Sequence, residues 1–191
     1  MEIELSMAET EFFAESQLIT IVPNFREDQI ILLCGQFGPF RPSIPLDVPL
    51  WLAIFLKKQH KCQIVPPSWM DLEVLSNKVE VERKTEGFAE IDFHYLETSS
   101  MLLTHAQEDI KHKSVIGRLI QDLYDLRTAK IRDIIKELKP ENSKLKLTNI
   151  AAIELQTLRR LLVCTFDTIS QINRKEEQVE DEKNNENAAP Q

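Results

Sequence analysis

Up to Pro67 the apolar residues come in short blocks; beyond it they recur every three or four positions. The two regimes predict an α+β protein, a small β-containing unit followed by a larger helical bundle. Residues 9–16 read as a short helix, with Phe12 and Phe13 as its anchors. Residues 18–22 are β-rich and end at Pro23-Asn24. Residues 29–34 form a second aliphatic run. From Gly35 to Pro45 the chain is turn-rich, punctuated by Gly38-Pro39. Cys62 to Val65 is a third short strand, stopped by Pro66-Pro67.

Between these runs lies the densest block, DVPLWLAIFLKKQHKC from Asp47 to Cys62. Asp47 is placed to cap a helix that tolerates Pro49 in its first turn. Leu50, Trp51, Ala53, Ile54, Phe55 and Leu56 are expected to be buried nearly all round. Lys57, Lys58, His60 and Lys61 follow at the end where positive charge suits the helix dipole.

Beyond Pro67 four helices are expected. The first is capped by Ser68 and runs to about residue 83. The second spans about 92–109. The third is capped by Ser114 and runs to Leu138, before Lys139-Pro140. The fourth starts at Thr148 and extends to about residue 173. In the third, Val115, Leu119 and Leu123 recur at intervals of four, as do Ile116, Ile120 and Tyr124. In the fourth, Leu155, Leu158, Leu162, Phe166 and Ile169 form one stripe, and Leu161, Val163 and Cys164 lie off it. That girth is broader than one apolar face. Either the helix is central to its own bundle, or a second face meets a partner. From Arg174 the sequence RKEEQVEDEKNNENAAPQ is charged and holds one strong apolar residue, Val179. It is expected to be a disordered acidic tail. The expected divisions are thus 1–66, 67–173 and 174–191.

Composition narrows the function. A net charge of −8 disfavours the whole surface as a polyanion binder, and four glycines leave little for a phosphate-cradling loop. The three cysteines, Cys34, Cys62 and Cys164, are far apart and odd in number, so reduced thiols are expected. The apolar run from Ile44 to Leu56 carries two further prolines and Asp47, and falls short of the roughly 18–20 residues a membrane span needs. The chain reads as soluble and intracellular.

Candidate chemistry is sparse. The histidines at 60, 94, 105 and 112 lack the spacing of a zinc site. No GxSxG, Walker loop or HExxH occurs. The acidic residues sit mostly beside Lys or Arg in helices and read as solvated faces. No catalytic residue, metal or cofactor is expected. Lys57, Lys58 and Lys61 form the densest basic patch, but no aromatics interleave to stack bases. Replacing Lys57 and Lys58 is expected to cost little stability. Phe37 and Phe40 sit in one turn, either as an exposed partner anchor or as a lid over the unit's own core.

The segments Glu11-Phe12, LITIVPNF (18–25), FGPF (37–40), VPLWLAI (48–54), KCQIVPPSWM (61–70) and DLYDLRTAKIR (122–132) carry a resemblance. Together they resemble the GINS family, in its second-subunit type, over roughly residues 8 to 172. The PLWLA and PPSWMD segments are the specific ones. Met7 matches the usual family start, and residues 1–6 fall outside the pattern. The resemblance implies a non-catalytic subunit of a heterotetramer with three paralogues. That body would join the MCM motor and a cell-division-cycle protein in the nuclear replicative helicase. It favours a partner face that includes Leu161, Cys164 and Phe166. The rival reading is a single-stranded DNA-binding accessory protein acting through the basic patch, recognisable by steep salt dependence.

Overall fold

The computed structural model describes residues 7–137, 147–159 and 162–164. An opening helix α1 (Met7–Glu15) leads into strands β1 (Leu18–Pro23), β2 (Ile30–Leu32), β3 (Gly35–Phe37) and β4 (Leu46–Pro49). Helix α2 (Leu50–Lys58) and strand β5 (Cys62–Ile64) follow. A 3-10 turn (Ser68–Met70) introduces α3 (Leu72–Lys84), then α4 (Tyr95–His105) and α5 (Lys113–Glu137). Residues 152–159 and 162–164 are again helical.

Strand β1 is the centre of an antiparallel sheet ordered β4-β1-β5. Its pleat turns Ile19 and Ile21 inward, where Val48 and Ile64 join them, while Leu18 stays exposed. β2 and β3 form a separate hairpin. β3 falls in the stretch predicted as a turn-rich loop, and β4 where Asp47 and Pro49 are expected to open the helix; turn and cap residues in both hide the strands.

Helix α2 buries Leu50, Leu52, Ala53, Ile54 and Leu56, but Phe55 is exposed and Trp51 is half-buried, so the expected all-round burial does not hold. Asp47 does not cap the helix. It lies in β4 and accepts a hydrogen bond from Thr20 Oγ1 at 2.7 Å. The Leu50 amide instead donates to the Gln17 carbonyl at 2.8 Å. At the far end His60 takes a left-handed conformation (φ 57°). The Lys61 and His60 amides then donate back to the carbonyls of Leu56 and Lys57, closing the last turn.

Cap assignments shift elsewhere too. Asp71, not Ser68, caps α3 by accepting from the Leu72 amide at 2.7 Å. Ser114 lies inside α5, not at its cap. Thr148 precedes the last helix by several residues; there Glu154 reaches back to the Ala151 amide at 3.0 Å. That is the carboxylate half of a capping box, one turn into the helix. Phe12 and Phe13 are exposed, and α1 seats itself through Ala14 and Thr10.

One apolar core runs without a break from Ile21 and Phe40 through Leu52 and Met70 to Leu102, Ile120 and Leu123. A smaller cluster of Phe88, Ile131 and Leu158 closes the far end of the bundle. Leu138, the stop at Lys139-Pro140, Leu161, Phe166, Ile169 and the tail from 174 lie outside the described residues.

Candidate functional site

The FGPF turn packs its aromatics against the small unit. Phe40 is fully buried and stacks on Phe25 with centroids 5.2 Å apart. Phe37 is half-buried and meets Trp51 edge-on at 6.3 Å. Between them Gly38 has φ +126°, and a Cβ there would lie 2.8 Å from the Asp28 carbonyl oxygen. The turn therefore requires glycine. Neither aromatic projects freely toward a partner.

The basic patch is not one surface. The Lys57 ammonium is 2.8 Å from Asp109 Oδ1, and both side chains are nearly covered. The other oxygen of Asp109 accepts from the Ile64 amide at 2.9 Å. Asp109 thus pins the end of α2 to β5. Lys61 reaches over the Phe25 ring, 5.6 Å from its centroid, while Lys58 is exposed. Two exposed lysines remain where three were expected.

A buried ionic network has no counterpart in the sequence reading. Arg127 on α5 is fully buried. Its guanidinium donates to Glu154 at 2.7 and 2.8 Å, to Glu82 at 3.1 Å, and to the Ala89 and Asn149 carbonyls. Lys130 donates to the second oxygen of Glu82 at 2.7 Å. Tyr95 completes the set through its hydroxyl, 3.2 Å from Glu154. Burial pushes the Tyr95 hydroxyl well above its usual value, with the Glu154 charge adding to it. Burial alone would lower Arg127, but the hydrogen bond and charge of Glu154, with the charges of Glu82 and Tyr95, raise it above its usual value. The network locks α3, α5 and the last helix together. A signal existed: Glu82 continues the stripe of Leu75 and Val79, and Arg127 that of Ile116, Ile120, Leu123 and Ile131. Charges of opposite sign on apolar stripes mark mutual burial.

The last helix has two faces. Ile153 and Leu158 are buried, whereas Leu155 and Val163 are 48% and 45% exposed. Leu155 and Leu158, read as one stripe, therefore split between interior and surface. Cys164 lies on the exposed side. Leu161 and Phe166, the other expected partner residues, are outside the described residues. Phe12, Phe13, Ile31, Leu33 and Phe55 add further exposed apolar surface. Single exposed apolar residues are ordinary, but this many large ones suit a chain that meets other surfaces.

Two open grooves mark that surface. One, of about 590 Å³, lies among Trp51, Phe55, Ile30, Leu32 and Met101. The other, of about 520 Å³, lies between α4 and α5. Among the described residues no group of His, Cys, Asp and Glu is placed to hold a metal, and no helix is long and apolar enough to cross a membrane.

Comparison with known proteins bears on both halves. The family profile described as "PSF2 N-terminal domain" matches residues 6–65. The profile described as "GINS complex protein helical bundle domain" matches residues 69–173. The human DNA replication complex GINS protein PSF2 is 41% identical over 155 residues, 80% of this chain and 84% of that protein. Its Xenopus laevis counterpart is 40% identical over 156 residues, covering 81% and 84%. The Schizosaccharomyces pombe protein is 34% identical over 172 residues, covering 90% and 93%.

Proposed function

The chain belongs to the PSF2 family of GINS proteins, and on that premise we propose that it is a non-catalytic subunit of a GINS complex in DNA replication. It associates with three paralogous subunits. As part of that body it scaffolds the MCM helicase and its cell-division-cycle partner, and it resides in the nucleus. The observation that carries the reading is the match of both parts of the chain, 6–65 and 69–173, to the two GINS-type profiles in that order.

The surface supports a scaffold. Its polar interior is committed to holding helices together, and its apolar residues are left outward on α1, α2, the β2–β3 hairpin and the last helix. Binding free energy, not bond chemistry, is what such a surface delivers. Obligate interfaces of this kind bury on the order of 2,000–5,000 Å². Contact with DNA is indirect in this reading, because within the basic patch at the end of α2 Lys57 is held by Asp109, leaving Lys58 and Lys61 outward.

Co-expression with the three paralogues of the same organism tests it. Co-purification as one stoichiometric particle without ATPase activity is expected. Failure to co-purify, or ATP hydrolysis that stays with the isolated chain, would contradict it. Tight, steeply salt-dependent binding of single-stranded DNA by the chain alone would favour the accessory-protein reading.

A further inference from the structure

Glu97 stands on the first turn of α4 and is 8% exposed, yet neither of its carboxylate oxygens has a hydrogen-bond partner among the described residues. It lines the groove between α4 and α5, whose walls include Leu103, Ile120 and Ile153, with Glu11 and Gln121 also lining it. A buried carboxylate without a partner is unfavourable, and natural structures seldom leave one. We propose that this groove receives an arginine or lysine side chain from a partner protein, with Glu97 as its counter-charge.

The surroundings call for a cation, and none of the described residues lining the groove is basic. Burial first, then the charges of Glu154, Asp92 and Glu11, hold the Glu97 carboxyl above its usual range; its own backbone amide lies near enough to oppose them but is not in hydrogen-bond geometry. Arg127, the cation of the neighbouring network, already donates to Glu154, Glu82 and two carbonyls.

The shape suits a long basic side chain. Apolar walls cover an aliphatic stem while the charged head reaches the acidic floor. A cavity of about 520 Å³ has room for that side chain and for apolar neighbours beside it. The occupant is therefore a protein surface, and under the proposed function, on which this step rests, it belongs to a paralogous subunit. A buried charge completed only on docking contributes specificity as well as affinity, because a partner without the cation leaves the carboxylate unpaired.

The test uses the co-expressed four-subunit complex. In one arm Glu97→Gln is compared with Glu73→Gln, which removes an exposed carboxylate on α3. Dissociation constants are read by dilution in mass photometry. Glu97→Gln is expected to weaken assembly at least tenfold, and Glu73→Gln to leave it unchanged. In the second arm a benzophenone side chain replaces Gln121 at the groove, and the cross-linked peptide is sequenced. The expected adduct is a paralogue peptide containing Arg or Lys. This arm does not depend on how Glu97→Gln folds. An adduct on this chain, an adduct on a peptide without a basic residue, no protein adduct, or wild-type affinity for Glu97→Gln would each overturn the proposal. Failure of the wild-type chain to join its paralogues would instead remove the functional reading, and the paralogue as occupant with it.

Discussion

Lys57 and Lys58 are neighbours in sequence and opposites in the fold. The Lys57 ammonium is 2.8 Å from Asp109, whose side chain is only 5% exposed, whereas Lys58 faces outward. Removing Lys57 leaves a covered carboxylate without its cation, at a cost of about 3 kcal/mol. Removing Lys58 costs under about 1 kcal/mol. Chemical denaturation of the two alanine variants within the co-expressed complex separates them; equal stabilities would mean that the Lys57–Asp109 pair contributes nothing. The expectation that both lysines are dispensable followed from their place at a helix end. Only the tertiary partner, 52 residues away, changes it. The cysteines divide in the same way. Burial pushes the Cys62 thiol up to about 11, while Cys34 is exposed at the hairpin turn. Because the thiolate is the reactive form, Cys62 is expected to resist a thiol reagent at pH 8 until the chain unfolds, and Cys34 to react at once. Prompt modification of Cys62 in the native protein would contradict its packing against the Ala53 carbonyl.

At the scale of elements, the bundle is held by a polar clamp as well as by its core. Arg127 joins α3 to the last helix through Glu82 and Glu154. Arg127→Ala leaves two buried carboxylates facing each other and is expected to destabilise the fold by about 3–5 kcal/mol, read from denaturant midpoints. A loss within the range of a surface substitution would show that water replaces the guanidinium. The long helices were legible because the stripes in α3 and α5 persist over several turns. The hairpin strand β3 (Gly-Gln-Phe) and the edge strand β4 (Leu-Asp-Val-Pro) were not, since glycine, aspartate and proline read as turn or cap residues, whereas the equally short β2 and β5 carry β-branched isoleucine. The caps at Asp47, Ser68 and Thr148 were misassigned because each has the right chemistry at a plausible position, and backbone geometry chose Gln17, Asp71 and Glu154 instead. The buried charges were overlooked because Glu82 and Glu154 each have basic residues within a few positions and look solvated until their stripes are compared. The last helix provides a further contrast. Leu158→Asp is expected to unfold the bundle end, since Leu158 is 3% exposed, and Leu155→Asp to leave folding intact while weakening assembly. Thermal melts combined with partner pull-down distinguish the two. Normal assembly of Leu155→Asp would show that its face meets no subunit.

For the molecule as a whole, the continuous core from the β4-β1-β5 sheet into the helices packs the described residues into one body that leaves several large apolar side chains exposed. The exposed Phe12, Phe13, Leu33, Phe55, Leu155 and Val163 would be a liability on a solitary protein and are an asset on a subunit. Residue pattern alone gave the α+β class and the order of its parts, but which aromatics point outward depended on contacts across the sheet. Phe40 turned inward onto Phe25, whereas Phe55 on an apparently all-buried helix turned out. The central claim is that this fold is completed by paralogous partners. Sedimentation equilibrium tests it most directly, on the chain alone and co-expressed with its three paralogues, at tens of micromolar. The account predicts aggregation or heterogeneous mass for the chain alone, and one species of 1:1:1:1 mass for the mixture. A single, cooperatively melting monomer whose mass is unchanged by the paralogues would contradict it.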